Sequence, residues 1–197
     1  MSASPPFPNT VRALLATEHV TDATRQVLTE RLNAPLQLPT FFSADEFALL
    51  QAICNRLIPQ NDRPEFIDIA GGIDKRLIQN KTNGWRYDIM PADGDAYKQG
   101  LAGIEETAQI LHQQSFEQLS SSEQDNIISL MQTGNAPGAI WQTLPAVRFF
   151  EELLAEAVEN YYSHPLAQEE IGYVGMADLP AWQHIGLDQL DDRERKQ

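Results

Sequence analysis

Histidines and paired carboxylates are the residues of this sequence best suited to acid–base catalysis. The four histidines share no spacing and lie in separate segments, at positions 19, 112, 164 and 184. They therefore give no support for a catalytic base built from several of them. The acidic pairs Glu105–Glu106 and Glu151–Glu152 occupy adjacent positions, and adjacent side chains diverge around a helix axis. We predict that both pairs lie on solvated helix faces.

Two groups of residues have the oxygen or nitrogen atoms that a metal ion needs. Asp93 and Asp95 could bind calcium. However, the sequence lacks the D-x-[DN]-x-[DN]-G spacing and the closing glutamate of a calcium-binding loop. We predict instead a helix N-terminus with favourable acidic charge. His164, Glu169 and Glu170 could ligate a metal, and a small metal-binding helical enzyme is one alternative function. The simpler interpretation is a His-Pro step at a helix end, with the imidazole facing water or a backbone carbonyl.

Recognisable cofactor motifs are absent from the sequence. Neither AGGID nor GLAG has the glycine spacing of a dinucleotide-binding or phosphate-binding loop. The chain also lacks G-x-S-x-G, C-x-x-C and H-E-x-x-H. Cys54 is the only cysteine, so no disulfide forms within the chain, and its place on an apolar helical stripe predicts a buried core residue. We expect this chain to hold no cofactor, no metal and no catalytic residue.

The net charge of the chain indicates which classes of binding partner to expect. The net charge of −14 repels nucleic acid and anionic lipid headgroups, whereas it suits a protein partner with a basic face or simple solubility. No segment approaches 18 apolar residues, so we expect no direct membrane insertion. The first twenty residues contain one arginine, Arg12, and their longest apolar run is ALLA, too short for an export signal. Localisation therefore stays open: cytoplasmic, or periplasmic if a signal-bearing partner exports the pair.

Local signals place the starts and ends of several helices. Thr21 or Asp22 is expected to cap a helix that ends before Pro35, and PLQLPT then forms a linker. Capping boxes, Ser43 with Glu46 and Ser120 with Glu123, mark the starts of two more helices. The first of these carries an apolar stripe that ends at Pro59: Phe47, Leu50, Cys54, Leu57 and Ile58.

Three further segments show helical spacing of apolar residues. In the first we expect a buried face of Phe66, Ile69, Ala70, Ile73 and Leu77. A helix from about Asp95 to Gln114 is expected to bury Tyr97, Leu101, Ile104, Ala108 and Leu111. A central helix follows, with a predicted buried face of Val147, Phe150, Leu154, Ala157, Val158 and Tyr161, while Phe149 and Leu153 cover another side.

The predicted fold class is all-α, because no alternating strand pattern competes with these helices. We expect a single-domain irregular bundle of about six to eight helices with an irregular, aromatic and glycine-rich C-terminal segment. The predicted organisation is an N-terminal arm with short helices over 1–40, a helical domain over 41–190 and a charged tail over 191–197.

Six stretches of the chain resemble a known family in their order and spacing. They are FFSADEFALLQAICNRLIPQ, Gly100-Leu101, FEQLSSSEQDNIISLM, FFEELL, YYSHPLAQEEIGYVG and a tryptophan before IGL. From about Phe41 to Leu190 the sequence is similar to the gluconate 2-dehydrogenase subunit 3 family. The first 40 residues fit that family poorly and are interpreted as an added arm.

This resemblance implies a small, non-catalytic helical subunit. Its partner would be a large flavoprotein dehydrogenase subunit of the glucose-methanol-choline class, which binds FAD and oxidises sugars, sugar acids or glycosides. Such complexes often pass electrons to a c-type cytochrome. The small subunit would bind the large one and stabilise it or help it mature. A free-standing helical adaptor is the other alternative function.

Aromatic residues in two irregular segments are candidates for the partner interface. Interfaces are anchored by aromatic and methionine side chains, which makes the long connection around residues 80–95 and the C-terminal segment the natural places to look. The residues we assign to the interface are Trp85, Tyr87, Tyr173, Met176 and Trp182. They could equally pack onto the subunit's own helices.

Overall fold

A computed structural model describes residues 10–61, 63, 65–81, 89–171 and 173 of the 197-residue chain. Within these ranges the chain forms eight α-helices, two short 3-10 helices and no β-strand. The all-α prediction and the expected number of helices are therefore confirmed. None of the described helices is long and apolar enough to cross a membrane.

The helices follow one another through short connections. In chain order they are α1 (Val11–Leu15), α2 (Asp22–Leu32), α3 (Ala44–Leu57), α4 (Ile69–Ile78), α5 (Asp93–His112), α6 (Ser121–Gln132), α7 (Ala146–Tyr162) and α8 (Pro165–Glu170). The two 3-10 helices are Phe116–Gln118 and Ile140–Gln142.

The described residues fall into two compact units, the first of which combines residues 10–35 with residues 162–171 and 173. In its described part, α8 packs against α1 and α2 around a core of Val11, Leu14, Leu15, Val20 and Leu28. Thr21 caps α2, as expected, by accepting a hydrogen bond from the Thr24 amide at 3.4 Å. A carboxylate oxygen of Glu169 accepts the Val11 amide at 2.8 Å, so a residue of α8 holds the start of α1.

The second unit, residues 36–161, is built around α3, which packs against α4, α5 and α6. Its fully buried side chains include Leu50, Ile53, Ile73 and Ile104. Both predicted capping boxes are present at the starts of α3 and α6. Cys54 is 2% exposed, which confirms its prediction as a core residue.

Two glycines allow helices of the second unit to approach each other closely. A Cβ atom at Gly72 of α4 would lie 2.1 Å from the side-chain oxygen of Asn160 on α7. One at Gly100 of α5 would lie 2.1 Å from the Phe149 ring of α7. A glycine costs about 1 kcal/mol of helix propensity, and this close packing is what offsets it.

The predicted buried face of α7 is partly wrong. Val158 is 39% exposed, and Val147 and Leu154 are only half-buried. Phe149 and Leu153 are each 1% exposed and belong to the buried face, rather than to a secondary one. The helix has apolar residues on more than one side, and spacing alone does not tell which side faces the subunit's own core.

The solvated-face prediction is wrong for Glu105 and Glu106, which are half-buried. Glu105 accepts the backbone amide of Phe116 at 3.0 Å, and Glu106 accepts that of Ile140 at 3.1 Å. Each amide opens a 3-10 helix and lacks a partner within it, which is why a carboxylate is held there. Glu151 is exposed, as predicted, whereas Glu152 is half-buried.

Two other apolar residues are also more exposed than their spacing predicts. Phe66 is 48% exposed because it lies before α4 begins at Ile69. Leu111 is 42% exposed in the last turn of α5. In both cases the apolar repeat continues beyond the part of the helix that packs against the core.

Candidate functional site

Buried charged side chains single out one region of the second unit. Asp74 is 2% exposed and Glu156 is 4% exposed, which is unusual for carboxylates and requires charged or hydrogen-bonding partners. Glu156 belongs to a group that we call the Arg76 cluster: Arg76, Asp93, Tyr97 and Glu156.

Three helices supply the Arg76 cluster. Arg76 lies in the last turn of α4, three residues after the buried Ile73. Asp93 and Tyr97 lie in the first turns of α5. Glu156 lies three residues after Leu153 on the buried face of α7, so helical spacing directs its carboxylate towards the interior.

The Glu156 carboxylate is the centre of the cluster. Arg76 donates to it from Nε and from Nη2, the latter at 2.7 Å, and the Tyr97 hydroxyl donates to the same oxygen as Nη2. Arg76 also donates from Nη1 to Asp93 Oδ2 at 2.7 Å and to the Lys81 carbonyl at 2.8 Å. One guanidinium therefore joins α4, α5 and α7 and holds Lys81 beside the start of α5.

The pKa shifts agree with a tightly paired cluster. Burial is the largest influence on Tyr97 and raises its pKa well above the usual value, and the negative charge and hydrogen bond of Glu156 raise it further. For Arg76, burial disfavours the charged form, but the hydrogen bonds and charge of Glu156, with the hydrogen bond to Asp93, outweigh it and raise the pKa. Arg76 stays a cation and Tyr97 a neutral phenol at physiological pH.

This arrangement is suited to holding helices together. The two oxygens of Glu156 accept three hydrogen bonds from within the subunit, and Tyr97 is only 3% exposed. A general acid or base must reach a proton of its substrate, and the Glu156 carboxylate, at 4% exposure, already binds groups of its own subunit. The cluster is a partly buried ion-pair network that fixes the relative positions of three helices.

Two aspartates hold the linker before α3. Asp74 accepts the backbone amides of Thr40 at 2.9 Å and of Phe41 and Phe42 at 3.0 Å each. Asp68 accepts the amide of Gln37 at 2.9 Å. The linker was predicted as a proline-fixed connection, and these carboxylates, rather than its prolines alone, fix its path.

The Cys54 thiol is not a candidate nucleophile. Burial raises its pKa, and the negative charges of Glu156 and then Asp68 raise it further. A reactive cysteine requires the thiolate form, which this environment strongly disfavours.

Of the predicted interface residues, only Tyr173 is described by the structure. Its side chain is 51% exposed, and its amide donates to the Gln168 carbonyl at 2.9 Å. The other four, Trp85, Tyr87, Met176 and Trp182, lie outside the described residues. Their role at an interface stays a prediction.

The residues of the possible metal site have other contacts. His164 caps α8 by accepting the Leu166 amide at Nδ1, and its Nε2 lies 3.3 Å from the Arg31 carbonyl oxygen. Glu169 binds the start of α1. Across the part of the chain that the structure describes, no three His, Cys, Asp or Glu residues are grouped so that they could hold a metal ion.

The first turn of α5 has the acidic charge that was predicted for it, and one of its aspartates also forms an ion pair. Asp93 and Asp95 lie in that turn, as predicted, where acidic charge favours the helix. The cap residue itself is Ala92, whose side chain makes no capping bond. Asp93 also pairs with Arg76, a contact that sequence reasoning did not find.

Sequence reasoning missed Arg76, Glu156 and Asp74 altogether. The signal for Glu156 is its spacing from Phe149 and Leu153, which places a carboxylate on an apolar helix face. Asp74 likewise follows Ala70 by four residues, within the apolar stripe of α4. Charged residues on a buried face require a partner, although the sequence does not say which one.

The described residues form a helical protein in which each buried carboxylate has partners inside its own subunit: Glu156 binds Arg76 and Tyr97, and Asp74 binds backbone amides. The family model described as gluconate 2-dehydrogenase subunit 3 matches residues 44–187, more than half of the 197-residue chain. The chain belongs to this family, which makes it a subunit of a dehydrogenase complex with a dehydrogenase partner. Searches of curated proteins and of solved structures found no match.

Proposed function

We propose that this chain is the non-catalytic accessory subunit of an FAD-dependent dehydrogenase of the glucose-methanol-choline class. The large subunit would bind FAD and transfer a hydride to it from the CH–OH group of a sugar, sugar acid or glycoside. Electrons would then pass onward, with a c-type cytochrome as the proposed acceptor. The small subunit would bind the large one and stabilise it or help it mature.

The family match over residues 44–187 is the observation that carries this proposal. Two properties of the described residues support it. The buried ionisable groups of the Arg76 cluster are bonded to each other, and the pKa of the Cys54 thiol is raised. The net charge of −14 also suits a partner with a basic face.

Co-expression with the large subunit tests the proposal. We expect the large subunit alone to give little soluble flavoprotein, and addition of this chain to raise the FAD absorbance recovered per cell mass. This chain purified alone should be colourless and without dehydrogenase activity. An unchanged yield of active flavoprotein, with and without this chain, would refute the proposal.

A further inference from the structure

The end of α8 carries apolar and aromatic side chains with large exposed fractions. Ile171, which follows the last residue of α8, is 57% exposed, and Tyr173 is 51% exposed. Tyr162, at the end of α7, is 43% exposed. Gln168 links these positions, because its Nε2 donates to the Tyr162 carbonyl at 3.0 Å and its own carbonyl accepts the Tyr173 amide at 2.9 Å. We call Tyr162, Ile171 and Tyr173 the α8 patch.

The side-chain oxygen of Gln168 is a second, independent sign that another group packs at this place. Its Oε1 is buried, yet none of the described residues donates a hydrogen bond to it. Buried polar atoms in folded proteins are almost always paired, because an unpaired one loses its bonds to water without replacement. A hydrogen-bond donor is therefore expected beside the α8 patch, together with an apolar group that covers the patch.

Residues 174–187 of the same chain begin at the α8 patch itself. Tyr173 is the last described residue, so this segment needs no linker to reach the patch, and its local concentration there exceeds that of a separate protein. The segment contains the apolar residues Met176, Trp182 and Ile185, and it has donors in its main-chain amides and in the Trp182 indole. The family match also runs to residue 187, which makes the segment part of the family domain.

The size of the α8 patch favours a segment of the same chain over a separate protein. A large side chain buries about 150–250 Å² when it is covered completely, so three half-exposed side chains offer on the order of 300 Å². A stable complex between two proteins buries about 800 Å² on each of them. A segment of the same chain needs less area, because the covalent connection already restricts its freedom to move away.

We propose that residues 174–187 fold back over the α8 patch, with Trp182 packed on Tyr173 and a donor of the segment bound to Gln168 Oε1. Trp182 is chosen because it is the largest apolar side chain of the segment. Of the two roles that the sequence leaves open for Trp182, this selects packing on its own subunit. Tyr173 and Trp182 are then covered in the isolated chain, before any partner binds. The inference does not depend on the proposed function.

A double-mutant cycle in the full-length chain tests the contact. Tyr173→Ala and Trp182→Ala are made singly and together, and urea unfolding gives the equilibrium constant for unfolding of each variant. We expect each single change to raise this constant about tenfold, and the double variant to fall short of the product by about fivefold or more, because both changes remove the same contact. The control cycle replaces Tyr173→Ala by Val27→Ala, since Val27 is 47% exposed on α2 of the same unit. There the two effects should multiply to within about twofold.

Oxidation by hydroxyl radicals measures the cover of Tyr173 in the folded chain. Tyr173 should react severalfold faster in Trp182→Ala than in the wild type, Trp182→Phe should keep most of the protection, and Leu38, which is 85% exposed, should react equally in all three. Equal oxidation of Tyr173 in wild type and Trp182→Ala, or independent effects in the cycle, would overturn the proposal.

Two other occupants of the α8 patch give different results, and either result would also overturn the proposal. If Trp182→Ala leaves the isolated chain unchanged but weakens its binding to the large subunit, Trp182 belongs to the partner interface. If the protection of Tyr173 disappears on dilution of the wild type, a second copy of the chain covers the patch.

Discussion

Two sides of α7 differ in how deeply their side chains are buried, and the polarity of the side chains does not explain the difference. The inner side buries a carboxylate, Glu156, at 4% exposure, whereas the outer side leaves a valine, Val158, 39% exposed. Glu156 is buried because Arg76 and Tyr97 bind its oxygens. Val158 remains exposed since the described chain offers no apolar surface to cover it fully. Burial therefore depends on the partner that the described part of the chain offers to each side chain.

The largest effect is expected from Glu156→Ala. It removes the bidentate partner of the partly buried Arg76 guanidinium, which keeps its bonds to Asp93 and Lys81, and should lower the free energy of unfolding by about 3 kcal/mol, the lower end of the range for a fully buried pair. Urea unfolding of the isolated chain, followed by circular dichroism, measures this change.

Glu159→Ala on the same helix is the matched control. Glu159 is exposed, so the expected change is within about 0.5 kcal/mol. Similar losses for the two variants would mean that Glu156 contributes no more than a surface charge, and the contrast between the two sides of α7 would disappear.

A smaller effect is expected from Tyr97→Phe, which deletes one hydrogen bond to the Glu156 carboxylate and keeps the ring. A hydrogen bond to a charged group contributes about 1.5–3 kcal/mol, and the loss at neutral pH should fall in that range. Arg76 still pairs with Glu156 in this variant, which is why the effect is smaller than that of Glu156→Ala.

The pH dependence of the same variant gives an independent check. The pKa of Tyr97 is raised in the folded state, so above its ordinary value of 10.0 the unfolded chain loses the phenol proton while the folded chain keeps it. Stability from this group is complete below pH 10 and falls as the pH rises further, by at most about 1.4 kcal/mol per pH unit. Tyr97→Phe should lose stability less steeply than the wild type in this range. Parallel curves would contradict a buried, hydrogen-bonded phenol.

The features that sequence reasoning predicted correctly are local ones. The capping boxes at Ser43 and Ser120 depend on residues three positions apart, and the burial of Cys54 follows from the apolar stripe around it. The Arg76 cluster could not be found in this way, because Arg76 and Glu156 are 80 residues apart and meet only after three helices have packed. The choice between the two sides of α7 has the same origin, since both sides are apolar and only the packed neighbours distinguish them.

The smallest effect on stability is expected from Val158→Ala, and its small size is the point of the experiment. Leu153→Ala on the inner side, where Leu153 is 1% exposed, should cost about 2–5 kcal/mol in the isolated chain. Val158→Ala should change the free energy of unfolding of the isolated chain by no more than about 0.5 kcal/mol, because its side chain gives up little burial there. A loss in the isolated chain comparable to that of Leu153→Ala would show that the outer side belongs to the subunit's own core.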